Sequence, residues 1–246
     1  MARPRKKKNI PARMEMCSEY WFSVPIANRG KWRKAFGMER APLFVELGCG
    51  KGSFACGFAQ AHPDVCFVGV EKDESVLLAA IEKAATLGLR NVRFLHAEAE
   101  FLRNYFEWGE IDRIFIHFCD PWIRKNKPKR RLTYRANLEI YRELLTERGR
   151  IHLKTDEPAL FVFSLMEFWD CGFFADKVTL DLYRSRWLNG NIATEFEAKF
   201  VQAGLPIYSL EAHKKREMCE EICLAIPVGL DGFHGIRKRF SGHSSK

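Results

Sequence analysis

The 246-residue chain contains no uninterrupted apolar run near the length of about 18 residues that a membrane span requires. Its start, MARPRKKKNIPARM, lacks the apolar core of a secretory signal, so the expected location is cytoplasmic, with no membrane partner. Zinc-finger spacing is missing too. Cys49, Cys56, Cys66, Cys119 and Cys171 stand singly in apolar surroundings, and Cys219 and Cys223 have no second pair of ligands. The eight cysteines therefore read as reduced, structural thiols, and no metal is expected. No internal repeat is evident. Acidic side chains are absent from both ends: residues 1–13 hold six cations and residues 232–246 hold four. The net charge of +9 thus belongs to the tails, and a cation cluster inside the fold carries more information than the total.

What is present suits a globular α/β protein, with 47% hydrophobic and 29% charged residues. The expected organisation is a basic flexible arm over 1–13, one domain over 14–212 and an extension over 213–246 that is basic at its end. Residues 15–40, with Tyr20, Trp21, Phe22 and Trp32, read as an irregular, partly packed lead-in. Short apolar runs then recur at 43–47, 66–70, 92–95, 113–118 and 150–154, fit for strands buried on both faces. Helical segments separate them. Asp73 is placed to cap a helix whose inner face carries Val76, Leu77, Ala80, Ile81 and Ala84 before Gly88 ends it. A second helix is expected over 136–146, closing at Gly149, and a third opens at Pro158. This alternation predicts a doubly wound, mostly parallel sheet, finished by an antiparallel pair near 173–182 and 206–212.

The first run leads into ELGCGKGSF, with Gly48, Gly50 and Gly52 at alternate positions. A dinucleotide fingerprint needs a third glycine at residue 53, where Ser53 stands, and a phosphate loop needs its lysine after the last glycine. Glu46, just before the turn, repels a pyrophosphate and welcomes a cation. Glu71, ending the second run, offers two acceptor oxygens to a ribose diol, and Glu98, after the third, can accept from an adenine amino group. Acids at successive strand ends around a glycine turn suit S-adenosylmethionine, whose sulfonium and amino groups are positive.

Further on, IHFCDPWIRKNKPKRR sets a single carboxylate, Asp120, between an apolar run and a crowd of cations. ELGCGKG with GVEKD resembles the first two motifs of class I methyltransferases. DPW followed by KRRLTY, then HLKTD at 152–156 and TEFEAKF at 194–200, resembles the tRNA (guanine-N7)-methyltransferases, over roughly residues 30–212. The resemblance implies a seven-stranded Rossmann-like sheet, methyl transfer from S-adenosylmethionine to guanine N7 in tRNA, and position 46 of the variable loop as the target. Spacing alone does not name that position. It also implies cofactor contacts at Glu46, Gly48, Gly50, Glu71, Glu98 and Asp120, with Asp120 catalytic.

Guanine N7 already carries an in-plane lone pair, so a carboxylate near the purine edge serves to balance developing positive charge, not to remove a proton. Trp122 is either a pocket wall or stacking surface, or a core aromatic. Arg124, Asn126, Lys127, Lys129, Arg130 and Arg131 are the candidates for holding phosphates. Asp156, Thr194, Glu195, Phe196 and Glu197 match the family's substrate-binding positions, and Asp156 also reads as the cap of the helix at Pro158. Two residues depart from the family pattern: Arg124 stands at a usual lysine, and Glu98 where many relatives have Asp. A silent RNA-binding protein on the same fold would keep the cations but could lose Glu46, Glu71 and Asp120. A nicotinamide-dependent oxidoreductase is disfavoured by Ser53 and Glu46. Either a monomer or a homodimer is compatible with the sequence.

Overall fold

Two short helices, α1 (Ile10–Glu15) and α2 (Trp32–Ala35), precede an alternation of strand and α-helix that is broken between the third and fourth strands, where a short 3-10 segment (Ala99–Asn104) takes the helix's place. The structure is a computed structural model and describes residues 9–22, 24–123 and 127–215. The order is β1 (Leu43–Leu47), α3 (Ser53–Ala61), β2 (Cys66–Glu71), α4 (Glu74–Thr86), β3 (Val92–His96), β4 (Ile111–His117), α5 (Arg135–Leu144), β5 (Leu145–Thr155), α6 (Pro158–Asp170), β6 (Phe173–Thr179), α7 (Glu195–Gln202) and β7 (Tyr208–Lys214). One sheet runs β3-β2-β1-β4-β5-β7-β6, in which β7 lies antiparallel to both β5 and β6 and the remaining pairings are parallel. The order reverses between β1 and β4. In a sheet of this kind the crevice at the carboxyl ends of those two strands is where ligands bind.

Strand register sorts the sheet into two unlike faces. Leu47, Ile116, Leu153 and Leu210 lie side by side on one face, which packs against Leu138, Tyr141 and Leu144 of α5 and Phe161 and Phe168 of α6. On the other face, Glu46, Phe115, His152 and Glu211 form a row, flanked along β4 and β5 by Arg113, His117, Arg150 and Lys154. The apolar part of this face is confined to the region where Phe54, Leu77, Ala80 and Ile81 of α3 and α4 cover Phe67 and Phe94. Strands β4 and β5 are buried on both faces toward their carboxyl ends, as expected, but this face carries the polar side chains of His117 and Lys154 where an apolar run was expected. Beside their polar row lies a cavity of about 320 Å³ lined by Phe54, His152, Trp187 and Glu211.

Local chemistry explains most boundaries. The Asp73 carboxylate accepts from the backbone N–H of Ser75 and Val76 and caps α4 as expected. Differences appear where burial overrides pattern. Helix α5 stops at Leu144, because Leu145 is fully buried and turns extended to pair with Ile111, so β5 begins five residues earlier than predicted and runs through Gly149. Residues 10–13, expected in the arm, belong to α1, which buries Met14 and pairs Arg13 with Glu82 on α4. In the lead-in, Trp32 is fully buried, stacked on Phe106 at 5.0 Å between centroids. The expected boundary after residue 212 falls inside β7, which continues to Lys214.

Candidate active site

The turn after β1 is built by glycine for different reasons at two of its positions, left-handed backbone at one and left-handed backbone with close packing at the other. Gly50 sits at φ +57°, and a Cβ added there would project into open space, leaving the backbone accessible to a ligand. Gly52, at φ +72°, has the opposite constraint: an added Cβ would lie 2.7 Å from the Cβ of Ala80, so glycine is what lets α3 start against α4. The close packing that a dinucleotide fingerprint obtains from its third glycine is thus supplied one residue earlier, beside Ser53.

Three acids surround the turn in different states. Glu71 is fixed by backbone donors: Oε2 accepts from Gly50 N at 3.0 Å, and Oε1 accepts from Lys72 N and Asp73 N at 2.9 and 3.0 Å. Oε1 is filled by its two backbone donors, while Oε2, with one, retains acceptor capacity. Glu98 is exposed at the start of the helical turn over 99–104 and makes no side-chain cap bond. Glu46 is buried, with Oε2 lacking any hydrogen-bond partner. Burial pushes its carboxyl up to about 8, against an opposing pull from Lys154 and a further push from Glu71. Without a ligand it is mostly protonated at neutral pH, which corrects the sequence-based picture of a standing negative charge. A cationic ligand brought against it would favour the ionised form. The orphaned oxygen of Glu46, the open cradle at Gly50 and the anchored Glu71 fit S-adenosylmethionine.

Across the crevice, Asp120 projects from the loop after β4 and is exposed. Phe118 and Trp122, two residues to either side, adopt left-handed φ values of +50° and +44°. Each costs about 1–2 kcal/mol in a residue with a Cβ, so the surroundings must hold them. Phe118 N donates to Lys154 O at 2.9 Å and its ring stacks on Phe200 at 5.8 Å. Arg131 donates from Nε to Pro121 O at 2.8 Å and from Nη2 to Trp122 O at 3.3 Å, with its guanidinium over Phe163. That residue, expected to hold phosphate, instead shapes the loop that carries Asp120. Trp122 is half-buried and outside the apolar core, with Arg130, Lys127 and Lys72 at 4.9, 5.8 and 5.9 Å from its ring centroid. Lys127, Lys129 and Arg130 are exposed beside it, while Arg124 and Asn126 lie outside the described residues, as do Cys219 and Cys223.

The third wall comes from β5 and α7, and it divides the expected substrate residues. Asp156, at the tip of β5, is partly shielded, and burial raises its carboxyl above the ordinary range. The cap of α6 is Glu157, accepting from Ala159 N, and not Asp156. With β5 ending at Thr155, the residue in N-cap geometry is Glu157, one step later. Thr194 forms a capping box with Glu197 at the start of α7. Glu195 accepts from Ser53 Oγ and from Lys83 Nζ, tying α7 to the glycine turn, and Phe196 is 59% exposed. Glu197, also among the expected substrate residues, is fully buried against Lys154 and so holds the start of α7 to β5. Sequence reasoning missed Lys154 as a functional residue. Its signal was the alternation in RIHLK, which puts Arg150, His152 and Lys154 on one face.

Among the described residues, no group of three or more His, Cys, Asp or Glu side chains is placed to hold a metal ion, and no helix is long and apolar enough to cross a membrane. Comparison with known proteins agrees with the geometry. A family model described as "Putative methyltransferase" matches residues 40–210. A tRNA (guanine-N(7)-)-methyltransferase of Streptococcus thermophilus is 40% identical over 213 residues, covering 87% of this chain and 99% of the relative. One from Streptococcus pneumoniae is 40% identical over 210 residues, covering 85% and 99%. Among solved structures, an antibiotic-related methyltransferase superposes with a TM-score of 0.52 at 20% identity, covering 72% of this chain and 88% of that one, and so matches in fold.

Proposed function

The chain belongs to the tRNA (guanine-N7)-methyltransferase family and uses S-adenosylmethionine to methylate guanosine N7 in tRNA; from that premise we propose that its target is guanosine 46 in the variable loop and that Asp120 is the catalytic carboxylate. The observation that carries the second part is the placement of Asp120: an exposed acid on a constrained loop, facing a cradle of acids and glycine across the point where strand order reverses.

Glu46, Glu71, Glu98 and the backbone at Gly48 and Gly50 would hold the cofactor, which supplies an electrophilic methyl group on a cationic sulfur. The guanine lone pair needs no base, so Asp120 acts by offering fixed negative charge to the purine edge as positive charge accumulates there. Trp122 gives a flat surface beside it for a base, and Lys129 and Arg130 hold the neighbouring phosphates. A regular RNA duplex hides N7 in a deep, narrow groove, which favours a nucleotide exposed in a loop. Asp156, Thr194, Glu195 and Phe196 contact the tRNA from the β5 and α7 side, and the departures at Arg124 and Glu98 preserve charge. The absence of a membrane-spanning helix among the described residues supports a cytoplasmic location.

Incubation with labelled methyl donor and unmodified tRNA, followed by nucleoside mapping, should place the label on N7 of guanosine 46. Label at another nucleoside would overturn the position. Replacing Lys129 and Arg130 by glutamine should weaken tRNA binding and reduce the slope of log affinity against log salt by about 1–2. Anisotropy titrations over a salt series that give an unchanged slope would remove both residues from the phosphate contacts.

A further inference from the structure

We propose that Lys154 is a positioning residue that couples the cofactor end of the site to the tRNA end, because its buried ammonium group pairs with Glu197 at the start of α7 and lies on the same sheet face as Glu46 near the tip of β1. The inference rests on the reading of Glu46 as a cofactor contact. On the tRNA side the geometry is explicit. Lys154 Nζ lies 2.5 Å from Glu197 Oε2, 3.0 Å from Asn191 Oδ1 and 3.1 Å from Ile192 O. Two of its three N–H bonds therefore hold the segment that leads into Thr194 and the third holds Glu197 in the first turn of α7, and both charged side chains are sealed from solvent.

On the cofactor side, Glu46 projects from the same sheet face. It is level with Phe115 and His152, and Lys154 is the next residue of β5 on that face. With Glu46 protonated, Lys154 and Glu197 cancel. A cation seated against Glu46 draws it into the ionised form, and two carboxylates then compete for one ammonium group. The competition is reciprocal by linkage: loosening Glu197 strengthens the hold of Lys154 on Glu46.

Other titratable groups face this cluster. Glu71, Cys49 and Cys56 lie against Glu46, and burial pushes the Cys56 thiol up to about 11 and that of Cys49 up as well. His117 and His152 flank Lys154, 3.2 Å apart, and burial lowers both imidazoles so that they stay neutral. The Tyr183 hydroxyl donates to Glu197 at 3.2 Å, and burial raises it. Burial also lowers the Lys154 ammonium, against the opposing pull of Glu197, and Glu46, at about 8, lies near neutral pH.

The test is calorimetric titration of S-adenosylmethionine into the full chain from about pH 6 to about pH 9, for the parent, Lys154→Met and Glu197→Gln. Affinity of the parent should rise with pH up to a midpoint near 8. Lys154→Met removes the cation that favours ionised Glu46, so its midpoint moves up and binding at neutral pH weakens about tenfold. Glu197→Gln removes the competing carboxylate, so its midpoint moves down and neutral-pH binding tightens. Midpoints that move in opposite directions, in proteins with cooperative thermal melts, support the coupling. Unmoved midpoints, or movement in the same direction, overturn it. Should Lys154→Met fail to fold, Glu197→Gln decides alone, and an unmoved or raised midpoint sinks the idea. A parent chain that binds no cofactor instead overturns the reading of the Glu46 end.

Discussion

Asp120→Ala is expected to bind tRNA with the affinity of the parent and to transfer methyl groups about a hundred- to a thousandfold more slowly in a single-turnover assay, the scale of losing one preorganised electrostatic group. The two halves of this result have separate causes. Asp120 is exposed and anionic, so it adds nothing to phosphate binding, and its removal leaves Lys129 and Arg130 exposed as before. The loop itself should survive, because its shape is set by the Arg131 bonds to Pro121 O and Trp122 O, by Phe118 N on Lys154 O and by the Phe118–Phe200 stack. What disappears is the charge opposite the cofactor cradle. Asp120→Asn separates charge from shape, since it keeps the size and the acceptor oxygen but not the formal charge. If fixed negative charge is the contribution, the asparagine variant falls close to alanine in rate. A rate near that of the parent for either variant would remove Asp120 from the chemistry.

The left-handed backbone at Phe118 and Trp122 bears on the same point. Strain on both sides of one exposed acid is maintained only where neighbouring contacts over-determine it, and here those contacts come from β5, α7 and the cation segment itself. Arg131, which the charge pattern marks as a phosphate ligand, bonds to the backbone of the loop that carries Asp120. A cation cluster in sequence thus divides in three dimensions: Lys129 and Arg130 outward, Arg131 inward.

The same division explains what can be read from the chain and what cannot. Short-range signals translate directly. The Asp73 cap, Gly88 ending α4, Pro158 opening α6, and the acids and glycines at the ends of β1 and β2 depend on neighbours within a few residues, and they are found where their chemistry puts them. Long-range pairings are not legible. Nothing local marks Glu197 as the partner of Lys154, 43 residues away, and a glutamate at the third helical position reads equally well as a capping-box residue or a ligand contact. Glu195 on Ser53 spans 142 residues. The polar row on β4 and β5 is an intermediate case. Its period of two is visible in RIHLK, but the apolar neighbours Ile151 and Leu153 dominate the pattern.

Glu46→Gln should stabilise the ligand-free protein at alkaline pH and leave it almost unchanged in acid. The sign follows from proton counting. Glu46 has its folded-state carboxyl raised from an ordinary 4.5 to about 8, so between those values the folded protein keeps a proton that the unfolded chain has lost. Stability therefore falls as pH rises through this window. Below it both states are protonated and the group contributes nothing, and above it the whole cost of a buried carboxylate with one oxygen unpartnered is present. Each pH unit between the two values is worth about 1.4 kcal/mol, which puts the cost at about 5 kcal/mol in the alkaline limit. Glutamine is neutral throughout and fills the same space. Urea unfolding of parent and variant at about pH 5 and about pH 9 should thus give a stability difference near zero in the first case and several kcal/mol in the second. Equal differences at both pH values would mean that Glu46 does not carry its proton into the folded state. Addition of S-adenosylmethionine should narrow the alkaline gap, because the cation gives the ionised carboxylate of the parent the partner it lacks, and glutamine gains nothing comparable. A site that is destabilising when empty and relieved by its ligand favours the bound form, as expected if Glu46 is placed for the cofactor and not for the fold.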